Sequence, residues 1–245
     1  MYVDELPAKK VGCLMPLPLI ENQPYEFYRL APRGVLLVMV ACGLEEFTGK
    51  DIERIFKPLD GMLDKLVERE IDMISQIGVP LPLIMGLEGY DKFIQYLADR
   101  TKVPATSQLQ NVIESLKHLK ARKVLLVNKW TDAMNANLEA FLDRDGITVT
   151  AVYNKSLTPK EFNKLGTRDH ARMAYDLGSR AFKDHPEADA LFIGGGAWMS
   201  QPVCEQLERE VGKPVISNVG AMVWNTLTRL GLWRPIPGHG RLLES

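Results

Sequence analysis

Asp72-Met73-Ile74-Ser75-Gln76-Ile77-Gly78-Val79-Pro80 and Ala188-Asp189-Ala190-Leu191-Phe192-Ile193-Gly194-Gly195-Gly196 are the two stretches that decide the fold. Each contains an apolar run of strand length that ends in glycine, and each leads into a helical pattern. Strands apolar on both faces belong to parallel sheets covered on both sides. In open sheets of that kind ligands sit at the carboxyl ends of the strands. The two glycine loops therefore read as the floor of a site that has no acid, base or nucleophile of its own.

Working outward, strands are expected at 11–15, 35–40, 73–77, 124–127, 148–152, 190–193 and 215–217, with a weaker one at 104–107. Ile52, Ile55, Phe56, Leu59, Leu63, Leu66 and Val67 share one helical face, and Pro58 should kink or break that helix. Met134, Leu138, Phe141 and Leu142 mark another helix, capped by Thr131 or Asp132 and closed by Asp145-Gly146. The pattern repeats: Val124 follows Val11 by 113 residues, Val149 follows Leu36 by 113, and Gly194 follows Gly78 by 116. The expected fold is α/β, with two pseudo-symmetric doubly wound parallel-sheet halves, 1–110 and 111–213, and the site in the cleft between them. The segment 214–245, with its strand and helix, is expected to lie beyond the second half and to cross back to the first.

The composition fits such a chain. Of 245 residues, 46% are hydrophobic and 25% charged, enough for a sizeable core. A formal net charge of −1 supplies no excess of Lys and Arg for a nucleic-acid partner. No apolar run approaches the roughly 18 residues of a membrane span, and Met1-Tyr2-Val3-Asp4-Glu5 carries acid where a secretion leader needs base. A cytoplasmic protein without membrane partners is expected. Cys13, Cys42 and Cys204 form no C-x-x-C, so free thiols are expected, with Cys42 the more accessible near a strand end. No His/Asp/Glu set has metal-ligand spacing, and neither G-x-G-x-x-G nor a Walker Gly-Lys-Ser/Thr occurs. No metal or cofactor is expected.

The chemistry must then come from a few side chains near strand ends. Gly194-Gly195-Gly196 suits a small anion cradled by backbone N–H groups, against the ordinary reading of a flexible turn. Lys129, after the strand at 124–127, suits a carboxylate or, if desolvated, a base; Trp130 beside it suits a flat apolar substrate. The ordinary reading is a solvated lysine beside a packing tryptophan. Glu45 and Glu46 follow the second strand and are candidates to move a proton, although paired loop acids are usually solvated. Tyr25, Tyr28 and Arg29 are placed in a loop at the mouth. Of the four histidines, His118 and His185 sit on exposed helix positions, His170 opens a helix and His239 lies in a tight turn.

Across most of its length the chain resembles the aspartate/glutamate racemase superfamily, in particular its arylmalonate decarboxylase and maleate isomerase branch. The resemblance is carried by Gly12-Cys13-Leu14-Met15-Pro16, Arg122-Lys123-Val124-Leu125-Leu126-Val127, Pro214-Val215-Ile216-Ser217-Asn218, Trp224 and the tail from Arg234-Pro235-Ile236-Pro237-Gly238-His239-Gly240 onward. It implies two α/β halves around a site for small carboxylates, without cofactor or metal. Members place one or two catalytic cysteines at the ends of the third strands of the halves. Those positions match Gly78 and Gly194, so both thiols are missing. The decarboxylase's hydroxyl donors match Val79 and Pro80, which have none, and its tyrosine matches Trp130. The resemblance thus implies a decarboxylase-like lyase on a small aromatic carboxylic acid, passing through an enediolate-type intermediate by a non-cysteine route. An isomerase or racemase with other acid/base groups, or a catalytically silent carboxylate binder, is the alternative. Lys129, Glu45 and Glu46 are the expected catalytic groups, and Gly78, Val79, Pro80, Trp130, Gly194, Gly195, Gly196 and Asn218 the expected substrate contacts.

Overall fold

The computed structural model describes residues 7–17, 21–31, 34–44, 48–162, 164–196 and 198–245. Its first sheet contains β1 (Lys9–Met15), β2 (Val35–Ala41), β3 (Met73–Gln76) and β4 (Ala105–Ser107) in the order β2-β1-β3-β4. Its second contains β5 (Lys123–Asn128), β6 (Thr148–Asn154), β7 (Ala190–Ile193) and β8 (Val215–Ser217) in the order β6-β5-β7-β8. All pairings are parallel, and the two orders are the same, so the chain is an α/β fold of two pseudo-symmetric halves. β8 pairs with β7 and belongs to the second sheet, which corrects the expectation that 215–217 lies beyond the second half.

The strand reversal in each half falls between β1 and β3, and between β5 and β7, so the crevices there are the natural ligand positions. Helices α5 (Gln108–His118) and α10 (Asn218–Arg229) leave the last strands of the two sheets and pack on each other. Both are started by a serine: Ser107 Oγ accepts from Gln110 N at 3.1 Å, and Ser217 Oγ from Gly220 N at 2.8 Å. The two halves also meet through α1 (Asn22–Leu30) on α10 and through α4 (Pro80–Thr101) on α6 (Asp132–Arg144). One hydrophobic core accordingly runs through both halves, joining Met15, Ile77 and Val79 to Val124, Trp130, Val219 and Met222.

Local departures have local causes. The helix expected over 52–67 is two, α2 (Gly49–Phe56) and α3 (Leu59–Glu68), because Pro58 has no N–H to continue the ladder. Tyr25, Tyr28 and Arg29 lie on α1 and not in a loop. In the second half α7 (Pro159–Phe162) and α8 (Thr167–Asp184) precede β7, and α9 (Gln201–Val211) follows it.

Candidate active site

At both strand reversals a ring closes over a glycine. In the first half Pro16, just after β1, lies against Gly78, just after β3. Gly78 has φ +86°, and a Cβ there would sit 2.9 Å from Pro16 Cγ, so only glycine fits. In the second half Trp130, after β5, covers Gly194, after β7; a Cβ at 194 would meet Trp130 Cη2 at 2.8 Å and Cζ3 at 2.9 Å. The positions where the sequence resemblance expects thiols are thus filled by neighbouring rings.

The amides of these loops are already committed. Gly78 N donates to Gln108 Oε1 at 2.8 Å, Gly194 N to Val127 O at 2.7 Å, and Gly195 N to Asn218 Oδ1 at 2.8 Å. Asn218 Nδ2 donates in turn to Gln108 Oε1 at 3.2 Å, so the first residues of α5 and α10 clasp each other and each holds its own half's loop. Gln108 Nε2 donates to Gln23 Oε1 on α1. The Gln23 side chain occupies the space beside Gly196. The expectation that Gly194 and Gly195 offer their N–H groups to an oxyanion is therefore not met in this structure. Val79 and Pro80 are buried at the start of α4.

A cavity of about 310 Å³ opens between the halves. Leu83 and Ile84 of α4 line one side, Trp130, Thr131 and Met134 another, and the stretches 48–49 and 156–158 its rim. Its walls are mainly apolar, and Trp130 forms one of them. Glu45 and Glu46, the expected proton carriers, lie outside the described residues; Thr48, which follows them closely in sequence, lines the cavity.

Lys129 does not line this cavity. Its amine lies over the ring of Phe162 from α7, and Phe162 stacks on His170 of α8 at 4.0 Å between centroids. Burial alone drives the Lys129 amine to give up its proton well below the usual lysine range. The three cysteines are all buried, including Cys42, which the sequence had placed at an accessible strand end. Burial pushes the Cys13 and Cys42 thiols up to about 12 and raises Cys204 as well, so none is a thiolate nucleophile at neutral pH. Among the described residues no group of three His, Cys, Asp or Glu side chains is placed to hold a metal ion, and no helix is long and apolar enough to cross a membrane.

The family model described as arylmalonate decarboxylase matches residues 12–243. The chain belongs to the arylmalonate decarboxylase family. Within that family's circle of relatives it is 24% identical over 235 residues to an arylmalonate decarboxylase of Bordetella bronchiseptica, covering 96% of each chain. It is 30% identical over 139 residues to a maleate isomerase of Nocardia farcinica, covering 54% of this chain and 51% of that one. A maleate isomerase structure from Pseudomonas putida S16 superposes with a TM-score of 0.84 at 18% identity, over 97% of this chain and 98% of that one. Membership of the arylmalonate decarboxylase family accounts for the two sheets of like strand order.

Sequence reasoning missed several residues that shape this family member's site. Gln108 was overlooked although Ser107-Gln108 and Ser217-Asn218 stand 110 residues apart, close to the offset of the strands. Gln23 and Glu26 leave no local signal, because α1 carries polar residues on its buried side. Nothing in the local pattern around Phe162 or Trp198 pointed to Lys129.

Proposed function

We propose that the protein is a cofactor-independent, decarboxylase-like lyase acting on a small aromatic carboxylic acid through an enediolate-type intermediate, without a cysteine. The observation that carries this reading is a buried amine with no charge partner among the described residues, one residue from the tryptophan wall of an apolar cavity, in a member of the arylmalonate decarboxylase family.

The cavity suits the aryl group, with Trp130 as a stacking wall. A carboxylate brought to the strand edge restores the proton to Lys129, because an opposite charge favours the ammonium that burial disfavours. Loss of carbon dioxide leaves its electron pair on the neighbouring carbon, spread onto the remaining carboxylate. The Lys129 ammonium then gives a proton to that carbon and is recharged from water. Glu45 or Glu46 is the second candidate for this proton transfer. Phenylmalonate, other malonates, maleate and aromatic diacids, each assayed for product, test the reading. Lys129→Ala should abolish turnover of whichever acid is consumed, and full turnover in that variant removes Lys129 from the mechanism.

One observation favours a second reading. Rings fill both glycine positions and the loop amides are tied within the chain, as befits a catalytically silent carboxylate binder. Tight binding of acids from that panel without product, even on long incubation, would select it. Conversion of maleate would instead select an isomerase, as in the relatives of that name.

A further inference from the structure

None of the described residues lining the cavity between the halves carries a charge. The polar side-chain groups there are four hydroxyls, the Asn137 amide and the Trp130 indole N–H, all neutral. Thr131 Oγ1 accepts from Met134 N at 3.3 Å, Ser156 Oγ donates to Trp130 O at 3.5 Å, and Thr158 Oγ1 donates to Glu161 Oε2 at 2.7 Å. Those hydroxyls are engaged within the chain. Asn137 is held differently. Helix α4 is broken at Gly86 (φ +71°, ψ 175°), between the Leu83 carbonyl and Leu87, the residue whose N–H would regularly serve it. Asn137 Nδ2, on α6 in the other half, donates to that carbonyl at 2.9 Å. A carbonyl only accepts, so this bond settles which end of the amide is nitrogen. Oδ1 is therefore an acceptor on an anchored side chain at the cavity wall, and no described residue donates to it. Space is available as well. A cavity of about 150 Å³ suffices for benzene, so about 310 Å³ leaves room beside a single ring for a substituent.

We propose that Asn137 determines which aromatic acid this cavity takes: one whose ring carries a neutral hydrogen-bond donor, such as a phenolic hydroxyl, received by Asn137 Oδ1. The proposal deepens the lyase reading and rests on it for the acid group of the ligand. In the empty cavity Oδ1 is open to water. A ring hydroxyl replaces that water with a bond of its own, whereas a methyl group of similar size displaces the water and returns nothing. A site with such an acceptor rejects the analogue that lacks the donor more strongly than an apolar pocket rejects a change in size. A charged ring substituent fares worst, because it sheds its water and meets no opposite charge on the described walls.

The test uses the full chain with hydroxyphenylmalonate and methylphenylmalonate, each as its meta and para isomers, and with para-carboxyphenylmalonate. Calorimetry gives the dissociation constants, and carbon dioxide release is measured separately. At one of the two ring positions the hydroxyl acid should bind roughly tenfold tighter than its methyl counterpart. The carboxyl acid should bind at least about tenfold more weakly than the methyl acid. Asn137→Ala removes the acceptor, so the hydroxyl-to-methyl ratio should fall to about one. Asn137 occupies an exposed position of α6, and the ligand comparison on the unaltered chain stands without the variant. Equal affinities of hydroxyl and methyl acids at both positions overturn the proposal. So do a preference that persists in Asn137→Ala, a carboxyl acid bound as tightly as the others, or failure of every acid to bind. Carbon dioxide release without the hydroxyl preference overturns the Asn137 assignment alone. Binding in the expected order without carbon dioxide release sustains that assignment and removes the lyase reading.

Discussion

Glu26 is the buried acid on which folding stability should depend most visibly. It projects from α1 to the start of α9, where its Oε1 accepts from Gln201 N at 3.0 Å. Its other oxygen, Oε2, is buried without a partner among the described residues, and the residue is 1% exposed. Burial raises its pKa from the ordinary 4.5 to about 7; the Gln201 hydrogen bond and Arg29 oppose the rise, and Glu205 adds to it. The folded chain thus holds a proton that the unfolded chain releases between those values. Stability from this group is complete below about pH 4.5 and is lost as pH rises through about 7. At about 1.4 kcal/mol per pH unit the loss is roughly 3 kcal/mol, a large part of a typical folding free energy. Glu26→Gln keeps an oxygen for Gln201 and removes the titration. Urea unfolding of both proteins at about pH 5 and about pH 8 should show the wild type losing roughly 3 kcal/mol relative to the variant. Differencing the two cancels other groups, such as Lys129, whose lowered pKa acts in the opposite direction. Parallel stability curves for the two proteins would refute the reasoning.

Gly194→Ala should destabilise by about 1–3 kcal/mol, because its Cβ enters the Trp130 ring. Adding Trp130→Leu should recover part of that loss, whereas strictly additive effects in a double-mutant cycle would show that the two residues do not compete for space. Asn218→Ala strips Gly195 N–H of its acceptor and breaks the link to Gln108, at an expected cost of roughly 1–3 kcal/mol in urea unfolding; an unchanged midpoint would mean the clasp contributes nothing. Phenylmalonate binding should take up protons at neutral pH and weaken as pH rises, since a depressed amine is recharged by the bound carboxylate. Calorimetry in buffers of different ionisation enthalpy reads that uptake, and its absence would leave Lys129 without contact to the ligand.

The strand repeat was legible because hydrophobic runs and terminal glycines survive in a single sequence: Gly78 and Gly194 mark corresponding ends in the two sheets. The weak strand expected at 104–107 is present as β4 (Ala105–Ser107), although it has neither a hydrophobic run nor a terminal glycine. Helix α1 was not, since Asn22-Gln23-Pro24-Tyr25-Glu26-Phe27 carries polar residues on its buried side. Those polar groups meet Gln108 and Gln201 from distant parts of the chain, and no local periodicity records such a partner. The commitment of the Gly78 and Gly195 amides was illegible for a related reason: their acceptors lie on α5 and α10, 30 and 23 residues away.

Lys129 and Trp130 illustrate how an adjacent pair misleads. As neighbours at one strand end, they read as lining one cleft. Side chains along a strand alternate between the two faces of the sheet. On β5, Val124 and Leu126 enter the core shared by both halves, and Leu125 and Val127 enter the core of the second half alone. The alternation carries past Asn128: Trp130 joins the shared core and walls the cavity, while Lys129 turns to Phe162 in the other core. The strand end therefore sends its two side chains to opposite faces, Trp130 to the cavity and Lys129 to Phe162. A substrate of the malonate class must reach the amine around Trp130. Trp130→Ala removes the wall needed to seat an aryl group and leaves Lys129 in place. Loss of phenylmalonate turnover in that variant is the expected result; undiminished turnover would show that the cavity does not seat the aryl group.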